Sequence, residues 1–223
     1  MRLLISGYSS TISVQLLAQL REVYSSLEII QVGRDASADI YCDFSNFDSI
    51  KQMSEQCLDN IDLDAVFLNH GILLGKKALA LNKTDINDYM MVNLFSVILI
   101  LEKLCSRQFL NTVVMSSISA KEGSYDPIYA ATKAGVDSFR YQANRLVPPN
   151  SRLNFVSPGI VSDAKMTTMR TDIENVEYAR SKTPTNSLTI SEEVASLVSM
   201  LLVSPGNINF QDIAINGGVS LNK

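Results

Sequence analysis

The sequence predicts an α/β protein: a doubly wound parallel sheet of about seven strands with helices on both faces. Three observations carry this. Short apolar runs alternate with longer amphipathic stretches along the whole chain. Four of the strand-like runs stop at Gly, Asn, Ser or Pro-Gly turns. No internal repeat, low-complexity tract or linker divides the 223 residues. Such alternation means parallel strands joined by right-handed crossovers, and the length suits one domain, residues 1–223, better than two.

The elements follow in order. Leu3-Leu4-Ile5 is a buried strand that meets Gly7, and Thr11 to Tyr24 has helical spacing through Ile12, Leu16, Leu17 and Leu20. Leu27 to Val32 is the second strand and Ile40-Tyr41 a short third. Phe47 to Leu58 is helical. Ala65 to Leu68 is the fourth strand, stopping at Asn69-His70-Gly71. A long helix runs from Thr84 to about Arg107, with Asp85 and Asp88 suited to its positive end. Thr112 to Met115 is the fifth strand. Asp126 caps the next helix, with Pro127 at its first position, and that helix ends before Pro148-Pro149. Leu153 to Val156, the helix Ser191 to Leu202 and the strand Ile213 to Ile215 complete the pattern; Asp163 to Ser187 has no clean period. In such a sheet ligands bind at the carboxyl ends of the strands. Gly7, Asn69, Ser116-Ser117 and Pro158-Gly159 therefore converge on one crevice.

Composition narrows the function. The net charge of −4 and the absence of a basic run speak against a nucleic-acid surface. Cys42, Cys57 and Cys105 are scattered, with no histidine cluster, so free thiols in a reducing cytoplasm are expected and a metal site is not. The N-terminus reads as a strand, not a secretory signal, and the apolar stretch Met90–Leu101 is too short to span a bilayer.

Two motifs carry chemistry. In Ser6-Gly7-Tyr8-Ser9-Ser10-Thr11-Ile12-Ser13, Gly7 supplies a tight turn at a helix start, where free N–H groups attract phosphate, and hydroxyls at Ser9, Ser10, Thr11 and Ser13 add donors. With a single glycine this is equally an ordinary strand-to-helix turn. In Tyr129-Ala-Ala-Thr-Lys133 the phenol and ammonium share a helix face. A phenol has an ordinary pKa near 10, and a nearby positive charge favours its ionised form; alone, the pair is as common as any surface Tyr/Lys. A strand-end serine upstream, Ser116 or Ser117, has a hydroxyl suited to polarising a carbonyl.

The ordered set Gly7, Asn69-His70-Gly71, Asn93, Ser117, Tyr129/Lys133 and Pro158-Gly159 resembles the short-chain dehydrogenases/reductases in their compact, Rossmann-like single-domain form, from Ser6-Gly7 to Asn216-Gly217-Gly218. The resemblance implies four catalytic residues. Tyr129 exchanges the proton, Lys133 lowers its pKa and holds the nicotinamide ribose, Ser117 orients the substrate oxygen, and Asn93 holds a water leading to Lys133. It implies a dinucleotide held by Gly7, Ser9, Ser10, Thr11, Ile12, Arg34, Asp43, Phe44, Asn69, His70, Gly71, Tyr129, Lys133, Pro158, Gly159, Ile160 and Val161. Arg34, where an acidic residue would suit a ribose 2′-hydroxyl, favours NADP(H) over NAD(H). The chain departs from the family in four ways. Thr11 and Ser13 replace motif glycines. The Ser117–Tyr129 spacing is one residue short, and Ser116 would restore it. Asp163 stands for a threonine and His70 for an alanine.

The expectation is thus an NADP(H)-dependent enzyme interconverting a ketone and a secondary alcohol, acting on a small molecule and assembling as a homo-dimer or homo-tetramer. The alternative is a catalytically weak NADP(H)-binding sensor or regulatory protein that keeps the fold. The intact Asn, Ser, Tyr and Lys favour the enzyme.

Overall fold

The computed structural model describes residues 1–76, 78–108 and 110–221, with only the backbone of Gln56, Cys57 and Leu221. The expectation of a free thiol at Cys57 lies outside the described side chains.

Seven parallel strands form one sheet: β1 (Arg2–Ser6), β2 (Glu28–Gly33), β3 (Ile40–Tyr41), β4 (Ala65–Leu68), β5 (Asn111–Met115), β6 (Arg152–Pro158) and β7 (Asp212–Ile215), in the spatial order β3-β2-β1-β4-β5-β6-β7. The order reverses between β1 and β4, which opens the crevice at their carboxyl ends. Register levels those ends, since Ser6 pairs with Leu68, Leu68 with Val114, and Met115 with Val156.

Alternate side chains of each strand enter two cores. On one face Leu4, Val66, Leu68, Val114 and Phe155 pack with helices α2 (Phe47–Met53), α4 (Ser96–Leu104) and α6 (Pro127–Ala143). On the other, Leu3, Ile5, Phe67, Val113 and Val156 pack with α1 (Thr11–Val23) and α9 (Ser191–Val203). Burial of both faces explains why the strands read as continuous apolar runs.

The helix expected from Thr84 begins one residue earlier. It opens as α3 (Lys83–Met90) behind a capping box formed by Asn82 and Asp85, widens into a π turn over Met91–Phe95, and continues as α4 to Leu104. These 22 residues are long and apolar enough, by length and composition, to cross a membrane, unlike the shorter stretch read from the sequence. Tyr89, Asn93 and Ser96 are nevertheless buried polar residues with protein partners, and Val97, Ile100, Leu101 and Leu104 enter the core. The expected helix Phe47–Leu58 likewise turns into π form over Ser54–Leu58.

The segment without a period holds α7 (Lys165–Thr168) and α8 (Ile173–Lys182), neither of which buries a residue. A helix with no buried face leaves no apolar period to read. A short α5 (Ser119–Glu122) precedes α6 and ends at Gly123, whose φ of 81° favours glycine.

Candidate active site

The crevice begins at Gly7. Its φ is +64°, and a Cβ there would lie 2.4 Å from the Asn69 carbonyl oxygen, so only glycine lets the first loop close on the end of β4. Serines then stitch the loop. Ser10 caps α1 by accepting the Ser13 N–H (3.1 Å), the Ser13 hydroxyl donates to the Gly7 carbonyl (2.9 Å), and the Asn69 amide donates to both hydroxyls (2.7 and 2.9 Å). Ser10 and Ser13 thus hold the loop's shape with hydroxyls that the sequence suggested as phosphate donors. Thr11 Oγ1 lies 2.9 Å from the buried Ser191 Oγ, which also sits 2.9 Å from Asp163 Oδ1. The residue in the family's threonine position is therefore tied to the first loop through Ser191. Ser9 is exposed and Ile12 buried. Thr11 and Ile12 occupy the first two positions of α1, where backbone N–H groups have no partner inside a helix and point outward. No acidic residue occupies that first turn.

Along β2, a Cβ on Gly33 would sit 3.1 Å from the Tyr8 ring, and the Tyr8 hydroxyl is 3.1 Å from Ser37. Arg34 is exposed and, among the described residues, joins no ion pair. Its charge reaches Asp43, whose carboxyl is held below its usual range first by the Ser45 N–H and also by Arg34. Phe44 lies stacked on His70, ring centroids 3.8 Å apart. His70 is buried; Nδ1 is 2.7 Å from Ser6 Oγ and Nε2 is 2.9 Å from Ser96 Oγ. The Asn69 N–H donates to Ser6, and Ser96 donates to the Val92 carbonyl. This assigns the Nε2–H tautomer. Burial, then the Lys133 charge, lowers its pKa to about 3, so the ring is neutral. His70 offers its side chain to the core and its backbone to the crevice.

At the opposite end of the crevice the four candidate catalytic residues gather. Asp126 caps α6 and fixes its first turn by accepting the Tyr129 N–H at 3.0 Å. The Ser119 N–H donates to Ser117 Oγ (3.1 Å), and the Ser117 hydroxyl lies near enough to the Tyr129 phenol to favour its ionised form. Ser117 thus faces Tyr129, whereas the Ser116 hydroxyl is buried without a partner among the described residues. Lys133, one turn along α6, is 4% exposed; its ammonium lies 5.8 Å from the Tyr129 ring centroid and donates to the Met115 carbonyl at 2.9 Å. Burial lowers Lys133 to about 8. Asn93, in the π turn, clamps Ile72, accepting its N–H at 2.8 Å and donating to its carbonyl at 2.9 Å. A Cβ on Gly71 would sit 3.3 Å from Asn93 Oδ1 and 3.9 Å from Lys133 Nζ, so this glycine keeps open the space beside both.

Electrostatics here differ from the sequence argument. Tyr129 is pushed up to about 12, by burial first, with Tyr125 and Asp126 adding to it and Ser117 opposing. The Lys133 ammonium is turned to a carbonyl, so in this arrangement it does not make the phenol acidic. Tyr125 and Arg170 were not singled out from the sequence. Arg170 lies 4.9 Å over the Tyr125 ring and forms a two-pronged pair with Asp172 at 2.8 and 2.6 Å. Neither carried a signal in sequence: Tyr125 precedes the cap of α6, and Arg170 lies in an aperiodic segment. On the last stretch of the crevice, Pro158 and Val161 are buried and Ile160 half-buried; a Cβ on Gly159 would meet Asn216 at 3.2 Å.

Comparison with known proteins agrees with this fold. The family model described as enoyl-(acyl carrier protein) reductase matches residues 13–220. No curated protein sequence matches the chain. Among solved structures, a 3-oxoacyl (acyl-carrier-protein) reductase from Agrobacterium tumefaciens with NADP bound is 21% identical, covers 97% of this chain and 93% of its own, and superposes with a TM-score of 0.82. A short-chain dehydrogenase/reductase of the glucose/ribitol dehydrogenase type from Brucella melitensis is 20% identical, with 98% and 96% covered and a TM-score of 0.83. A short chain dehydrogenase family protein from Francisella tularensis is 20% identical, with 99% and 98% covered and a TM-score of 0.79. At such identities the structures speak for the fold, and the family model, which takes in nearly the whole chain, speaks for descent: the chain belongs to the short-chain dehydrogenase/reductase family of oxidoreductases.

Proposed function

We propose that the protein is an NADP(H)-dependent oxidoreductase that interconverts a ketone and a secondary alcohol, with Tyr129 as proton donor and acceptor. The observation that carries this reading is the gathering of Ser117, Tyr129 and Lys133 at one end of the crevice, with the Lys133 ammonium 5.8 Å from the Tyr129 ring centroid. The crevice fits a dinucleotide by its own features: unpaired N–H groups at the start of α1, the glycine-only approach at Gly7, and the space that Gly71 leaves beside Lys133. Thr11 and Ile12 N–H groups would hold phosphate, with Gly7, Ser9 and Ser10 shaping the loop. Asp43, Phe44, Asn69, His70 and Gly71 would line the adenosine side, and Pro158, Gly159, Ile160 and Val161 the nicotinamide side. The exposed Arg34 suits a 2′-phosphate, which favours NADP(H) over NAD(H). When bound, the nicotinamide supplies or accepts the hydride.

The chain's residues supply the rest. Ser117 fixes the carbonyl oxygen, and Tyr129, held protonated by burial, gives its proton to that oxygen as negative charge develops there. A firmly protonated phenol suits reduction; oxidation would need added positive charge beside it. Lys133 would bond the nicotinamide ribose hydroxyls through the N–H groups that its Met115 bond leaves over. Asn93 retains one N–H and one lone pair beyond its Ile72 bonds for a water chain to Lys133. NADPH absorbance tests the reading on a panel of ketones and 3-oxoacyl thioesters. We expect turnover by the wild type, and for Tyr129→Phe a fall in kcat of about a thousandfold with NADPH Kd within about twofold. Tight NADPH binding with no turnover of any carbonyl would sink it.

Exposed Phe95 and Tyr141, on the π turn and α6, favour assembly as a homo-dimer or homo-tetramer. Light scattering on the same preparation checks this, and a monomer mass excludes it.

A further inference from the structure

The long helix carries three fully buried polar side chains, Tyr89, Asn93 and Ser96. Asn93 clamps Ile72 and Ser96 bonds His70, whereas Tyr89 serves neither. Its hydroxyl accepts the Leu74 N–H at 2.6 Å and donates to Asp126 Oδ2 in a short hydrogen bond. Asp126 is itself fully buried, and its other oxygen accepts the Tyr129 N–H. Helix capping needs one oxygen, and a surface Ser or Asn supplies it at no cost in buried charge. Burying a carboxylate costs several kcal/mol unless strong partners offset it, and among the described residues no cation pairs with this one. The second oxygen and the tyrosine that holds it therefore call for a role beyond capping.

We propose that Asp126, fixed by Tyr89, is a positioning residue that sets the first turn of α6 under Tyr129 and keeps the phenolic proton in place until the substrate oxygen takes it. The proposal rests on the reading of Tyr129 as the proton donor. The carboxylate bears on Tyr129 in two ways: Oδ1 fixes its backbone, and the negative charge adds to burial in opposing its ionisation. The other polar groups around Tyr129 are Ser117 from the loop after β5, Tyr125 beside Asp126, and Lys133 one turn along α6; Arg170 and Asp172 act on Tyr125, and neutral His70 faces Lys133. Tyr89 also ties Leu74, so the loop following Gly71 and the first turn of α6 share one anchor. Burial, followed by Asp126, keeps the Tyr89 phenol well above its ordinary value, so it stays a donor.

Two variants of the full chain test this. Asp126→Asn keeps a capping oxygen and loses the charge; Tyr89→Phe keeps the ring and loses the anchor. NMR of ring-labelled tyrosine, assigned with Tyr129→Phe, follows the Tyr129 signal with rising pH and needs no turnover. In Asp126→Asn the signal should begin to move at a pH lower by about half a unit. In Tyr89→Phe, kcat should fall about five- to tenfold while KM and NADPH Kd stay within about twofold. An unmoved Tyr129 signal, or activity lost only in proportion to folded protein, overturns the proposal. If Asp126→Asn does not fold, the kcat-against-KM split of Tyr89→Phe decides alone. A shifted signal in a protein that turns over no carbonyl would sink the enzymatic reading and leave the Asp126–Tyr129 coupling standing.

Discussion

His70 is a residue whose meaning comes from its neighbours. In sequence it is a lone histidine in place of the family's alanine, and nothing beside it says whether it binds, reacts or packs. In the structure it is a buried ring on Phe44, with Ser6 on one nitrogen and Ser96 on the other. Its pKa is lowered to about 3 from an ordinary 6.5. The unfolded chain therefore binds the proton more readily than the folded one. Stability contributed by this site is present above pH 6.5 and is lost as pH falls toward 3. Urea melts between those limits should show a shallower pH dependence for His70→Ala than for the wild type; equal slopes would mean that the ring titrates freely. Tyr129 and Lys133 teach the complementary lesson. Their four-residue spacing puts them on one helix face, and that much was legible. Where the ammonium goes was not, because the Met115 carbonyl that receives it lies on a strand distant in sequence. Ser117 was legible only as one of two serines; in the structure its hydroxyl bears on the Tyr129 phenol, while that of Ser116 is buried without a partner among the described residues.

Among the elements, the π turn at Met91–Phe95 joins fold to site most directly. Wide turns of this kind recur at functional positions because they redirect a side chain within a helix. Here Asn93 satisfies both backbone groups of Ile72 and is fully buried. Removing its amide leaves a buried donor and acceptor without partners, a cost of about 2–4 kcal/mol. Asn93→Ala should therefore lower Tm by several degrees and loosen the loop after Gly71, measurable as faster amide exchange at Ile72 and Leu74; unchanged exchange there would refute the clamp. The turn could not be read from sequence, since the apolar pattern between Thr84 and Arg107 is nearly the same for α and π geometry over five residues and differs only in what lies opposite. What could be read were elements with a buried stripe, β1, β2, β4, β5, β6, α1, α2, the long helix, α6 and α9, and the short apolar runs of β3 and β7. Helices α7 and α8 bury nothing, so no pattern marked them.

For the whole molecule, the sheet order puts loops from four strands on one rim, so a dinucleotide bridging that rim would join both ends of the crevice. A ligand that binds only the folded state stabilises it by mass action, about 2.7 kcal/mol at a hundredfold excess over Kd. For a domain of 223 residues this amounts to a rise of about 5–10 °C in Tm. The proposed cofactor preference makes this shift selective. Arg34 is exposed and outside every ion pair among the described residues, so Arg34→Ala should leave the unliganded Tm within about a degree. The same change removes the guanidinium opposite a 2′-phosphate. Charge-assisted hydrogen bonds to a phosphate are worth about 1.5–3 kcal/mol, so NADPH affinity should fall about ten- to a hundredfold while NADH affinity changes little. Thermal melts of both proteins with each nucleotide give the four values needed. If the NADPH shift survives the substitution intact, the 2′-phosphate is held elsewhere on the rim, and the cofactor preference must be argued from other residues.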